Sequence, residues 1–245
     1  KITMNVFNSL IDQSEVVEIL KEAVKSAQKL NESSQVMTNT WLFTGPPGSG
    51  RSNAAIAFAA ALVCKEGGCS KCSDCMSTII GTHADVELIK TEGLSIKIDE
   101  IRGLITRSSW APSVASYRVV VIEDSDRLTE SAANALLKVI EEPGLRTIWL
   151  LCAPTLTDVL PTIRSRCRHL SLRTPSTKAV TNLLIERESI DPKTAEFAAR
   201  AAGGHIGRAR RLATDENAKQ NRSSILKLPL TIKDVTSAYK AAQFL

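Results

Sequence analysis

Two hydrophobic patterns alternate along the first two thirds of the chain. Runs of consecutive apolar residues predict buried strands at residues 40–44, 86–89, 119–122 and 148–152. Between these runs, apolar residues recur every three or four positions, which predicts helices at residues 12–30, 51–63, from 99 onward, and at 132–141. Strands that alternate with helices in this way predict an α/β fold, in which a parallel sheet lies between two helical layers.

Local signals indicate where several of these helices begin and end. Asp12 and Glu15 have the spacing of a capping box, and Asp99 is a candidate N-cap residue. Pro143 and Gly144 follow the helix at 132–141 and favour its termination.

The alternation of strand and helix stops near Thr174 and Pro175. Only helical patterns follow, at residues 179–187, 192–202 and 206–213, and they predict a small lid-like helical domain. A polar segment and then one further helical pattern complete the chain. We therefore expect an α/β domain at residues 1–173, a helical lid domain at 174–214, and a linker with the start of a truncated helical domain at 215–245.

Composition restricts the class of protein. Hydrophobic residues make up 43% of the 245 positions and charged residues 23%, as in ordinary globular proteins. Aromatic residues make up only 4%, which argues against wide base stacking on single-stranded nucleic acid. No apolar run approaches the ~20 residues of a membrane span, and the first residues do not resemble a signal peptide. We expect a cytoplasmic protein without a membrane partner.

The net charge of +5 is unevenly distributed. Residues 1–159 hold 15 basic and 19 acidic residues, a net charge of −4, whereas residues 160–245 hold 16 and 7, a net charge of +9. A basic C-terminal third is either a solvated helical surface or a face that meets phosphate or an acidic partner.

The segment between the first strand and the second helix has the pattern of a phosphate-binding loop, G-x-x-x-x-G-K-[S/T]. It consists of Gly45, Pro46, Pro47, Gly48, Ser49, Gly50, Arg51 and Ser52. Arg51 stands where the pattern has lysine, and its planar guanidinium is not equivalent to an ammonium. The pattern therefore predicts a degenerate nucleotide site, with ATP and Mg²⁺ binding left open. A plain Gly/Pro surface turn is the structural alternative.

The strand at 119–122 is followed by Glu123 and Asp124. In phosphoryl-transfer motors an aspartate at this place holds Mg²⁺, and we expect a glutamate after it to activate water. Here the order is reversed, and Asp124 is one methylene shorter than glutamate. This order predicts weakened hydrolysis, unless the pair is simply an acidic strand-to-helix turn.

Four cysteines follow the second helix in a C-x4-C-x2-C-x2-C pattern: Cys64, Cys69, Cys72 and Cys75. Four thiolates at this spacing suit a tetrahedral Zn²⁺ with no open coordination position, which predicts a structural metal. Disulfide bonds are the alternative. Cys152 and Cys167 are distant in sequence, and we expect them in the core.

Arg166 lies in the motif Ser165-Arg166-Cys167 at the end of a predicted short helix. An exposed arginine at a helix end can reach the phosphate site of a neighbouring subunit and stabilise transferring charge. A salt-bridged surface arginine is the alternative.

Together these features resemble the AAA+ subunits of the bacterial sliding-clamp loader, part of the DNA polymerase III holoenzyme. The resemblance extends from residue 6 to about residue 214. Besides the loop and the zinc cysteines, it is carried by Phe7-Asn8-Ser9-Leu10-Ile11-Asp12-Gln13, by Asn134-Ala135-Leu136-Leu137-Lys138 with Glu141-Glu142-Pro143, and by Ser165-Arg166-Cys167. Asp12 takes the place of a family glycine. The resemblance implies a P-loop NTPase-like fold with an inserted zinc module, a lid and a helical collar, and it implies that Arg166 is an arginine finger.

The family contains an ATP-hydrolysing motor, gamma/tau, and a stator, delta prime, which keeps the fold but not the activity. This chain departs from the motor pattern at four places: at Arg51, at Glu123-Asp124, at a polar sensor position that falls on Ala153 or Pro154, and at a sensor arginine position that falls on Gly207, beside Arg208. All four departures favour the stator.

The resemblance thus implies a delta prime subunit with little or no ATPase activity and no polymerase activity of its own. Its expected partners are the gamma/tau and delta subunits, the sliding clamp and, through the complex, primed DNA. A gamma/tau-like ATPase is one alternative. A zinc-stabilised DNA-binding module is another, and it predicts salt-dependent DNA binding by the isolated chain.

Overall fold

The structure, a computed structural model, describes residues 5–29, 38–144 and 146–215. Contacts within the chain divide it into two compact units, residues 1–174 and 175–245. The linker and the further helix expected from the C-terminal segment lie outside the described residues, except for Asp215. Among the helices that the structure describes, none is both long and apolar enough to cross a membrane.

Five parallel strands form the sheet of the first unit, in the order β2-β3-β4-β1-β5. They are β1 (Thr40–Thr44), β2 (Val86–Ile89), β3 (Arg118–Ile122), β4 (Thr147–Ala153) and β5 (Arg168–Ser171). The apolar runs predicted the first four to within one residue at each end. β5 was not predicted, because it lies at the sheet edge and only Leu170 among its residues is buried. The predicted α/β fold with a parallel sheet is confirmed.

Helices of the first unit cover both faces of this sheet. They are α1 (Ser14–Gln28), α2 (Arg51–Val63), α3 (Ser73–Ile79), α4 (Ile98–Ser108), α5 (Glu130–Glu141) and α6 (Pro161–Arg164). Trp41 and Phe43 of β1 belong to the core beneath α1 and α2, whereas Leu42 belongs to the core beneath α4 and α5. This division follows from the two-residue period of a strand, which sends successive side chains to opposite faces.

Two predicted helix starts are wrong. α1 begins at Ser14 with Gln13 at its N-cap position, and Asp12 lies outside the helix with a left-handed φ of 57°. Aspartate tolerates this conformation better than most residues. α4 begins at Ile98, so Asp99 lies inside its first turn, and Glu100 accepts a hydrogen bond from the Lys97 backbone at 3.1 Å instead.

The described part of the second unit consists of α7 (Thr177–Glu188), α8 (Pro192–Ala202) and α9 (Ile206–Thr214). Each predicted helical pattern in this region corresponds to one of these helices. Small side chains such as Ala195 and Ala199 are fully buried, which lets the helices approach closely, and Arg210 forms an ion pair with Glu188. The role of this unit as a lid stays a prediction.

A buried carboxylate anchors the loop that precedes β3. The Asp85 side chain is completely buried and accepts hydrogen bonds from the backbone N–H groups of Ser113, Val114 and Ala115 at 2.7–2.8 Å. The Arg118 guanidinium lies 3.3 Å away. Burial alone would raise the pKa of Asp85, but these hydrogen bonds lower it to about 2. Asp85 therefore stays ionised at neutral pH and holds the loop against the sheet.

Replacement of Asp85 by asparagine should lower the free energy of unfolding by about 2–3 kcal/mol at pH 7, because an amide would direct an N–H group at N–H donors. The native pKa lies below the unfolded value of about 3.9, so this stabilisation is complete above about pH 5 and is lost as the pH falls towards 2. The difference between wild type and Asp85→Asn should therefore shrink over that range.

Urea unfolding between pH 2.5 and 7 measures this difference. Asp99→Asn is the control, since the Asp99 side chain is 89% exposed. A difference that stays constant with pH would show that the carboxylate charge is not what holds the loop.

Candidate functional site

The loop from Gly45 to Gly50 leads from the carboxyl end of β1 into the first turn of α2. Gly48 and Gly50 have left-handed φ angles of 87° and 86°, which glycine adopts without strain. A Cβ atom on Gly45 would lie only 2.4 Å from the Ser49 hydroxyl oxygen and 2.8 Å from the Leu172 carbonyl oxygen, so a larger residue does not fit there. The strand, glycine loop and helix have the arrangement of a phosphate-binding cradle.

The Arg51 guanidinium is turned back onto this loop. Its Nη1 atom donates a hydrogen bond to the Gly45 carbonyl oxygen at 2.7 Å. Its Nε atom is buried and has no hydrogen-bond partner among the residues that the structure describes. In the complete pattern a lysine at this position reaches the phosphates. Here the cation is engaged by the backbone of its own loop.

Glu123 and Asp124 follow β3 at the same edge of the sheet. The buried thiol of Cys152, on β4 between β3 and β1, lies 3.9 Å from the Arg51 carbonyl oxygen. Burial raises the pKa of this thiol, the Glu123 and Asp124 carboxylates raise it further, and the Arg51 cation lowers it. β3 and β1 are both parallel neighbours of β4, and their carboxyl ends lie at the same edge of the sheet, so the fold brings the acidic pair and the loop together.

The predicted sensor position carries no polar side chain. Ala153 is fully buried, and the Pro154 carbonyl oxygen accepts a hydrogen bond from the Gly45 backbone at 3.1 Å. The main chain at this position therefore holds the loop by a hydrogen bond, and its side chains offer no donor to a nucleotide.

The second sensor position lies in the other unit. Gly207 and Arg208 lie in the first turn of α9, where the Arg208 N–H donates to His205 Nδ1 at 3.3 Å.

The sequence analysis gave Gln13 no role of its own, although it lies in the motif that carries the resemblance. Its side chain is buried, donates to the Arg173 carbonyl oxygen at 2.6 Å and accepts from the Arg173 N–H at 3.3 Å. The same amide lies 3.5 Å from the Ser49 carbonyl oxygen. Gln13 thus links the glycine loop to the segment after β5, a contact between distant residues that no local pattern predicts.

The four cysteines of the predicted zinc site lie together, with their sulfur atoms all within 4.8 Å of one another. The Cys64 sulfur lies 3.7 Å from that of Cys69 and 3.6 Å from that of Cys72. Zn–S bonds of about 2.3 Å in a tetrahedron place neighbouring sulfurs about 3.8 Å apart, so these thiols fit Zn²⁺ in number, chemistry and spacing. All six cysteines are free, and the distances exceed a disulfide bond of about 2.05 Å.

Backbone donors around the cluster favour one thiolate in particular. Burial would raise the pKa of Cys64, but backbone N–H groups of Cys69, Gly68 and Glu66 lower it to about 7. Burial raises the pKa values of Cys72 and Cys75. The backbone N–H groups of Cys72 and Cys75 donate to the sulfurs of Cys69 and Cys72, respectively, each at 3.4 Å.

Arg166 lies just beyond α6, which ends at Arg164. Its side chain is 41% exposed and forms an ion pair with Glu141, with 2.7 Å between Nη2 and the carboxylate oxygen. Nη1 donates to the Thr162 carbonyl oxygen at 2.8 Å. The surface ion pair that the sequence analysis kept as an alternative is therefore present, and the guanidinium is still accessible. Its partner Glu141 was not predicted.

Comparisons with known proteins agree with these features. Residues 13–176 match the family described as DNA polymerase III, delta subunit. The chain is 31% identical to the delta prime subunit of DNA polymerase III from Bacillus subtilis, over 78% of this chain and 59% of that protein. It is 33% identical to the delta prime subunit from Pseudomonas aeruginosa, over 58% of this chain and 45% of that protein. The chain thus spans about half the length of these relatives.

Other relatives share the fold more broadly. The gamma/tau subunit from Mycobacterium tuberculosis is 31% identical over 69% of this chain and 31% of that protein. The RuvB Holliday junction branch migration motor of Thermotoga maritima, at 19% identity, superimposes with a TM-score of 0.62 over 99% of this chain and 72% of that one, which supports the AAA+ fold alone. By its family match, and by its similarity to named subunits, the chain belongs to the delta prime family of DNA polymerase III clamp-loader subunits.

Proposed function

We propose that this chain is a stator: a delta prime subunit that helps load the sliding clamp onto primed DNA without hydrolysing ATP itself. The observation that carries the proposal is the hydrogen bond from the Arg51 guanidinium to the Gly45 carbonyl oxygen. The loop keeps the backbone of a phosphate cradle, while its cation is directed at that backbone. The gamma/tau and delta subunits, the clamp and, through the complex, primed DNA are the proposed partners. The helical unit after residue 174 serves as a lid in this proposal.

Three features of the cradle disfavour ATP turnover. The Arg51 cation must leave a carbonyl acceptor before it can meet a phosphate. The acidic pair has the order Glu123-Asp124, which shortens the side chain that has to activate water. The sensor position offers a buried alanine, so no side chain there can orient the γ-phosphate. Each loss weakens either binding or chemistry.

Isothermal titration of the isolated chain with ATP and Mg²⁺ tests this part of the proposal. We expect a dissociation constant of about 1 mM or weaker and no turnover. Arg51→Lys should tighten binding by about tenfold, because an ammonium forms a charge-assisted contact with phosphate in place of the internal one. Arg102→Lys, at a side chain on α4 that is 68% exposed, is the matched control and should leave binding unchanged.

Micromolar binding with turnover by the wild-type chain would contradict the stator proposal. That outcome would favour the alternative, a gamma/tau-like motor subunit. The 31% identity to a gamma/tau relative is the observation that supports this alternative. Unchanged binding in Arg51→Lys would show that the guanidinium is not what closes the cradle.

Arg166 is the residue with which a stator can act on a neighbour. Its guanidinium is partly exposed and lies at the end of a short helix, on the motif that matches the arginine finger of the family. Such a group stabilises the charge that develops on a transferring phosphoryl group. In this proposal Arg166 completes the ATP site of the adjacent motor subunit in the ring.

Arg166→Ala should leave the chain folded and lower ATP hydrolysis by the assembled complex, by about 10³-fold at the one site that this arginine reaches. Steady-state ATPase assays of complexes reassembled from wild-type or variant chain measure this. Arg102→Ala is the matched control, because that side chain is 68% exposed on α4. Equal rates of ATP hydrolysis by complexes with Arg166→Ala and with Arg102→Ala would exclude a role of Arg166 as an arginine finger.

The four cysteines are the proposed ligands of a structural Zn²⁺. When bound, the ion would cross-link the end of α2, the following turn and the start of α3. Cys64, Cys69, Cys72 and Cys75 supply every ligand of a closed tetrahedral site, so no position remains for a substrate. The segment between α2 and β2 has few buried apolar residues of its own, and such small modules commonly depend on a metal for stability.

The purified chain should contain one zinc ion, and Cys72→Ser should remove it. Loss of a closed structural site should lower the stability by about 3 kcal/mol or more, which corresponds to about 6–12 °C in melting temperature. Metal analysis and thermal unfolding measure both effects. Cys167→Ala should keep the zinc, since Cys167 is outside the cluster. A wild-type chain that neither retains nor takes up zinc would contradict the assignment.

A further inference from the structure

We infer that Glu141 is the positioning residue for Arg166: its carboxylate holds the guanidinium in the direction in which it reaches the neighbouring subunit. This inference rests on the proposed role of Arg166 as a finger. It adds a second residue, on a different helix, to the part of the chain that would act on a phosphate.

The contacts hold the guanidinium from two sides. Glu141, the last residue of α5, forms an ion pair with Nη2 at 2.7 Å, and Thr162 of α6 accepts a hydrogen bond from Nη1 through its carbonyl oxygen at 2.8 Å. The Ser165 hydroxyl oxygen lies 3.3 Å from Nη1. A guanidinium has five N–H donors, so these contacts restrain its orientation and leave donors for phosphate oxygens.

The exposure of the Arg166–Glu141 pair indicates that the pair orients the guanidinium rather than stabilises the fold. The Glu141 side chain is 48% exposed and that of Arg166 41%, and ion pairs in such positions contribute little to folding. Orientation has a larger effect on catalysis, because a long side chain that is ordered before docking loses less freedom when it meets the transition state. Glu141 therefore affects hydrolysis through Arg166, without touching the phosphate.

The competing explanation is that Glu141 is a brace between α5 and α6. A brace would affect the complex whether or not Arg166 is present. A positioning residue has no effect once the group that it positions has been removed. The two explanations therefore differ in their coupling, which a double-mutant cycle measures.

The experiment compares the ATPase of complexes reassembled with wild-type chain, Glu141→Ala, Arg166→Ala and the double variant. We define the Arg166-dependent part of kcat as the difference between the kcat of the wild-type complex and the kcat of the Arg166→Ala complex. Glu141→Ala should lower that part by about three- to tenfold and change KM less than twofold. In the Arg166→Ala background, Glu141→Ala should cause no further loss. Glu141→Asp, which keeps the carboxylate, should retain part of the rate.

Glu142→Gln is the matched control, because it removes the same charge from the neighbouring exposed carboxylate. Its kcat should equal that of wild type. If Glu141→Ala does not fold, as judged by its melting temperature, Glu141→Gln takes its place in the cycle.

The outcomes separate this inference from the proposed function. If Arg166→Ala lowers the ATPase but Glu141→Ala does not, the positioning role is wrong and the finger stands. Equal losses from Glu141→Ala in both backgrounds identify a brace and also overturn the inference. If Arg166→Ala leaves the ATPase unchanged, the finger is wrong and Glu141 has nothing to position.

Discussion

The tight turn from β1 into α2 is the constraint on which the candidate site depends. The chain has to pass from a buried strand into a helix within six residues, and only glycine fits beside Ser49 and the Leu172 carbonyl at position 45. Three other parts of the first unit then hold the turn in place: the Pro154 carbonyl after β4, the amide of Gln13, and the Arg51 guanidinium. Each of these three contacts ends on a backbone atom of the loop, so other parts of the chain fix the path of the loop backbone.

Two arginines in this unit show how surroundings decide what one residue type does. Arg51 is half-buried, and its guanidinium donates to a carbonyl oxygen of its own loop. Arg166 is partly exposed, and its partners lie on the side towards α5 and α6. Guanidinium groups are never deprotonated in proteins, so both positions carry a fixed charge. The first charge is used within the chain, whereas the second remains available to another molecule.

The sequence predicted those parts of the fold that local pattern determines. Continuous apolar runs located β1 and β4, since these strands are buried on both faces, and cysteine spacing located the thiol cluster. The edge strand β5 and the short helix α3 were missed, because an edge strand buries few side chains and a seven-residue helix has little periodicity. No local pattern indicated the structural role of Asp85 either, since its hydrogen-bond partners lie about 30 residues away in the sequence. Contacts between distant residues were beyond the reach of these patterns.

Two segments close to the start of β2 are fixed by polar groups. Before this strand lies the cysteine-rich segment, and beyond α4 lies the loop that leads to β3. Both segments leave large apolar side chains exposed, among them Ile80 at 68% and Val114 at 71%, so neither is held mainly by a core of its own. Polar groups fix them instead: a cluster of four thiols in one, and the ionised Asp85 in the other. Since Asp85 acts through its charge and the four thiols are the proposed ligands of zinc, the first segment should respond to chelators and the second to acid before the sheet does.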